Sequence, residues 1–114
     1  MAASWVQQHI APGTQIAADP STPSFAGLRV LPLSLPGPKR DFDMNRNLQR
    51  LRRLGVKDVV VTGAVTDRVL AARSSYPRES RFYDQLRTRG RRIYHLEPGG
   101  SLAGPWVSIY RLPA

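Results

Sequence analysis

Thr66, Asp67 and Arg68 follow a valine-rich run in LGVKDVVVTGAVTD, residues 54–67 and one beyond. A hydroxyl, a carboxylate and a guanidinium after a buried strand are groups that could hold a small ligand. Open α/β sheets bind ligands outside the carboxyl ends of their strands, so these three residues are the ligand candidates. Gly63 is the lone glycine of that turn, and neither GxGxxG nor GxxxxGK[ST] occurs. A pyrophosphate needs such glycines for close backbone approach, so no nucleotide cofactor is expected.

Other chemistries find fewer residues. The chain has no cysteine, which removes disulfides, thiolate metal sites and thiol nucleophiles. His9 and His95 lie far apart with no second histidine at ligand spacing, so metal binding is not expected and His95 reads as a strand residue. Asp41 and Asp43 precede a helical pattern, where negative charge faces exposed N–H groups, so they read as helix-start residues rather than an acid–base pair. Arg92, Tyr94, Tyr110 and Arg111 would offer RNA aromatics interleaved with bases on a strand face, though aromatics on edge strands are also routine packing residues.

Composition bounds the partners. The net charge is +9, with fifteen arginines against two lysines. Residues 1–38 carry only Arg29 and Asp19, so all the excess lies in residues 39–114. Such a balance favours loose association with nucleic acid or anionic lipid. No apolar run reaches the roughly 18 residues of a membrane span. No basic region precedes an apolar stretch at the N-terminus, so no signal peptide is expected.

The elements that must position these residues follow from periodicity and breakers. Ser4–Ile10 reads as a short helix ended by Pro12 and Gly13, and Thr14–Ala18 as a strand. Leu28–Leu35 has β character, but Pro32 cannot donate to a ladder, which predicts an edge strand. Met44, Leu48 and Leu51 recur at helical spacing. They predict a helix over Asp43–Leu54 with Asp43 as N-cap, Arg46, Arg50 and Arg53 facing out, and Gly55 left-handed at its end. Asp58–Thr62 predicts a strand buried on both faces. Thr66 or Asp67 would cap a helix through about Arg73, with Gly63 relaxing the turn before it. Tyr76-Pro77 opens a further helix that Gly90 stops. Arg92–Leu96 and Trp106–Leu112 alternate as an antiparallel strand pair joined by the Gly/Pro-rich loop from Glu97 to Pro105. The sum is a single α/β domain over residues 1–114: a small Rossmann-like mixed sheet of about five strands flanked by helices.

Two resemblances bear on function. LGVKDVVVTGAVTD resembles the nucleophile-bearing strand and turn of the isochorismatase-like cysteine hydrolases, which carry Gly-x-x-Thr-Asp just before their cysteine. Here that place falls near Arg68 or Val69, so the activity is excluded. Over a longer span, WVQQHIAPGTQIAAD, FDMNRNLQRLRRLGVKDVVVTG, DRVLAARSSYPRESRFYDQL and GPWVSIYRLP are similar, in that order, to the C-terminal soluble domain of bacterial GT-C glycosyltransferases. These are polytopic membrane proteins related to dolichyl-phosphate-mannose protein mannosyltransferases. The resemblance implies a non-catalytic accessory domain on the extracytoplasmic face of the membrane, with residue 1 close to a membrane exit. The family's catalytic acids lie in a membrane-part loop, so none maps onto this chain. Implied partners are the transmembrane part of the parent protein, and anionic lipid headgroups or a polyprenyl-phosphate donor. The alternative is a free-standing cytoplasmic binding module whose basic half takes nucleic acid or a small anion.

Overall fold

The computed structural model describes residues 2–20, 27–37, 41–97 and 105–113. Helix α1 (Ala2–His9) leads to strands β1 (Gln15–Ala18) and β2 (Arg29–Pro32). Helix α2 (Leu48–Arg53), strand β3 (Asp58–Thr62), and helices α3 (Gly63–Ala71) and α4 (Pro77–Arg89) follow. Strands β4 (Arg91–Leu96) and β5 (Val107–Arg111) close the fold. This is the predicted order of elements. The connection from Glu97 to Pro105 lies mostly outside the described residues.

The strands form one mixed sheet in the order β2-β1-β3-β5-β4. β1 runs parallel to β2 and to β3, and β5 runs antiparallel to β3 and to β4. Pro32 lies in edge strand β2, as its missing N–H requires. Central β3 is buried at all five positions. Its side chains alternate faces, so Val59 and Val61 join Leu51, Val69, Phe82 and Leu86 under α2, α3 and α4. Val60 points the other way, towards Val6 and Ile10 beneath α1.

Three local expectations are corrected. The first concerns α2, which starts at Leu48, not Asp43: Asn47 is its N-cap, accepting from the Arg50 N–H at 3.0 Å. Asp43 instead accepts from the N–H groups of Ser34 and Asn45, both at 2.9 Å, in a turn before the helix. Met44 is therefore off the apolar stripe and 66% exposed, while Arg46, expected outside, is buried. The predicted end of this helix does form. Gly55 has φ 85°, and the Val56 N–H reaches back to the Leu51 carbonyl at 2.9 Å.

The second correction is at α3, which begins directly on Gly63, so Thr66 and Asp67 lie inside the helix and cap nothing. Gly63 serves close approach rather than turning. A Cβ there would meet Trp106 Nε1 at 2.6 Å and Cδ1 at 2.8 Å. The third is an irregularity in β4 between Arg92 and Tyr94, which inserts Ile93 into the register with β5. Arg92 opposes Tyr110 on the α4 side of the sheet, whereas Tyr94 opposes Ile109 on the α1 side. Arg111 pairs with Asp58 on that same α1 side, at 3.0 Å. The four residues considered for RNA are thus split two and two and share no binding face.

Candidate functional site

β1 is flanked by two parallel neighbours, and the chain leaves it for β2 on one side and reaches β3 on the other. The carboxyl ends of β1 and β3 are therefore the topological switch point, where open sheets take ligands. Asp19, directly after β1, occupies that place with 2% exposure. Arg46 Nη2 donates to Asp19 Oδ1 at 3.0 Å, and the Tyr83 hydroxyl donates to Asp19 Oδ2 at 2.7 Å. Arg46 also donates from Nε to the Tyr83 oxygen at 3.3 Å and from Nη2 to the Ser34 carbonyl at 2.6 Å. The turn that keeps α2 from starting early is what carries Arg46 inward.

Burial pushes the Asp19 carboxyl up from its ordinary value, against the opposing pull of Arg46 and the Tyr83 hydroxyl. Burial and the Asp19 charge likewise push the Tyr83 phenol up. A perturbed carboxylate at a switch point is a functional-site candidate. Here, however, the Arg46 and Asp19 side chains are 1% and 0% exposed. Among the described residues the carboxylate's partners are protein groups, and its side chain is closed to solvent.

Beyond the end of β3 lies a cavity of about 200 Å³, lined in part by Thr66, Asp67, Trp106, His95 and Arg92. Two of the three candidates, Thr66 and Asp67, meet there. Arg68 does not: its guanidinium lies 6.0 Å from the Tyr76 ring centroid and donates to the Pro36 carbonyl. Asp67 accepts from Trp106 Nε1 at 3.0 Å. Thr66 Oγ1 is buried without a hydrogen-bond partner among the described residues, as is Thr62 Oγ1.

The same cavity wall holds Ser108, His95 and Glu97. His95 Nε2 lies 2.7 Å from Glu97 Oε1, and Nδ1 meets Ser108 Oγ. The carboxylate only accepts, so Nε2 donates to it; in the neutral ring that leaves Nδ1 to accept from the hydroxyl. Hydroxyl to imidazole to carboxylate is the order that activates a serine nucleophile. Ser108 is only 1% exposed, however, and β5 is paired on both sides, which commits the nearby N–H groups to the ladders. Among the described residues no oxyanion donors are seen to converge on it, and the chain of bonds ties β4 to β5.

Neither polar cluster was legible as a site. Asp19 carried one signal, a lone acid directly after a short apolar strand. His95 and Ser108 carried none, because their cross-strand pairing depends on the β4 irregularity. Among the described residues no group of three or more His, Asp or Glu is placed to hold a metal ion. Among the described residues no helix is long and apolar enough to cross a membrane. Comparison with protein families, curated proteins and solved structures found no match to this chain.

Proposed function

We propose that this chain is a non-catalytic accessory domain of a polytopic membrane glycosyltransferase that uses a lipid-linked sugar donor. It would sit on the extracytoplasmic face and pack against the transmembrane part of its parent. The observation that carries the non-catalytic half is the closed switch point, where Asp19 is bound by Arg46 and Tyr83 and sealed from solvent. The parentage is supported by the ordered similarity from Trp5 to Pro113. Detecting the gene product in fractionated source cells with an antibody tests that parentage. The expected result is a membrane-bound band several times larger than this chain. A band of this chain's own size in the soluble fraction would overturn the reading, and so would sugar transfer or hydrolysis by the isolated domain.

A second reading, a basic binding module, is favoured by one observation: a groove along α4 is lined by Arg78, Arg81 and Arg89 and, among the described residues, by no acid. If its ligand is nucleic acid, affinity falls steeply with salt, because phosphate contacts release counterions.

A further inference from the structure

We propose that the groove between α2 and α4 docks this domain onto an anionic bilayer, taking phospholipid phosphates between its arginines. The groove encloses about 410 Å³. Arg78, Arg81, Gln85 and Arg89 stand three or four residues apart along α4, so they form one stripe facing it. All three arginines are exposed. The helix separates its charges by side. Asp84 lies off the stripe, where Arg73 and Arg87 each hold it at 2.7 Å. Among the described residues, Arg81 and Arg89 have no carboxylate partner, and neither Asp41 nor Asp43 lines the groove. Of the groove's four arginines only Arg46 is answered by a carboxylate, Asp19, among the described residues, so the exposed lining is net positive.

The apolar groups decide between phosphate-bearing partners. Met44 lines the groove beside the arginines and is 66% exposed. A flexible thioether side chain held in water beside cations gains by entering the boundary between headgroups and acyl chains. Single-stranded nucleic acid would instead need open ring faces for its bases. Of the two rings lining the groove, Phe82 is 2% exposed, and half-buried Phe42 has the Arg78 guanidinium 5.5 Å from its centroid. At Gln49 the groove meets a second one of about 830 Å³ that adds Arg53 and Lys57. The cations thus spread over two adjoining grooves rather than enclosing one small anion.

This inference deepens the membrane reading and borrows its location, but the groove's charge and exposed methionine stand on their own. The test is binding of the full chain to phosphatidylcholine vesicles with and without phosphatidylglycerol. Binding should require phosphatidylglycerol and weaken as salt rises. Each arginine near an anionic surface is worth about fivefold, so R81Q/R89Q should bind about 25-fold more weakly. R29Q/R91Q, with the same net charge, should stay near wild type. M44Q, which keeps every charge, should also weaken binding. All the altered side chains are exposed, so thermal unfolding should not move. Equal losses from the two arginine pairs would reduce the effect to net charge and overturn the proposal. Indifference to phosphatidylglycerol would do the same. Tighter binding to a single-stranded oligonucleotide, lost with R81Q/R89Q, would reassign the groove to nucleic acid. Cell fractionation tests the membrane location separately, so the two ideas can fail apart.

Discussion

The least replaceable side chain is Asp19, because it compensates a guanidinium that water cannot reach. Removing one partner of a buried pair strands the other charge, which costs about 3–5 kcal/mol. Asp19→Ala should therefore lower urea-unfolding stability by that amount. Tyr83→Phe keeps the ring in the core but takes a hydroxyl from Asp19 and Arg46, so about 1–3 kcal/mol is expected. The double variant should cost less than the sum, since both changes damage one network. Strict additivity would show that the three groups do not act together. Gly63→Ala tests a different contact. Its methyl would lie 2.6 Å from Trp106 Nε1, so the indole must move and release Asp67. Overpacking of this kind costs about 1–3 kcal/mol. Trp106 emission, read in a Trp5→Phe background, should shift; an unchanged spectrum would refute the clash. Only part of this was readable beforehand. Thr66 and Asp67 do share a cavity, but Arg68 faces Pro36. The Arg46 contact was hidden because helical spacing alone pointed that side chain outward.

Elements were legible where breakers and burial agreed. Gly55 and Pro77 mark their helix ends as expected, and the valines of β3 fill both faces. The start of α2 was not legible, because Met44 fits the helical period by coincidence. Side-chain acceptors decide that boundary: Asp43 serves Ser34 and Asn45, so Asn47 is left to cap the helix. The face assignment of β4 failed for a related reason, since one extra residue reverses the alternation beyond it. The pairing of α4 with the turn after α3 has a measurable signature. Hydrogen bonds from Arg73 and Arg87 hold Asp84 at about 2, below the ordinary 3.8. A depressed carboxylate contributes stability above its unfolded value and loses it as the pH falls through the folded value. Asp84 should therefore cost stability on acidification from 3.8 towards about 2. Over that window wild type should lose stability more steeply than Asp84→Asn, and parallel acid limbs would show that the surface pair contributes nothing.

At the scale of the molecule the two faces of the sheet are unequally defended. One lies under α2, α3 and α4, and the other under α1, where Val6 and Ile10 cover Ile16, Val60 and Ile109. Among the described residues that cover is one helix of eight residues with Ile10 just beyond it, held at its edge by Trp5 stacked on His9 at 4.5 Å and tilted towards Tyr94 at 5.0 Å. Isolated helices of this length are marginal in water, so α1 depends on burial of its apolar face. Cooperative units with fewer buried contacts open first. Native-state hydrogen exchange should find the α1 amides opening at a lower free energy than those of β3. Ile10→Ala removes a buried side chain at the junction of helix and sheet, so it should cost about 2–5 kcal/mol. If α1 opens as a separate unit, that loss falls mostly on its own amides, and β3 keeps nearly its wild-type protection. Equal loss of protection in α1 and β3 would instead make the two faces one cooperative core, and α1 could not then release from the sheet while the rest stays folded.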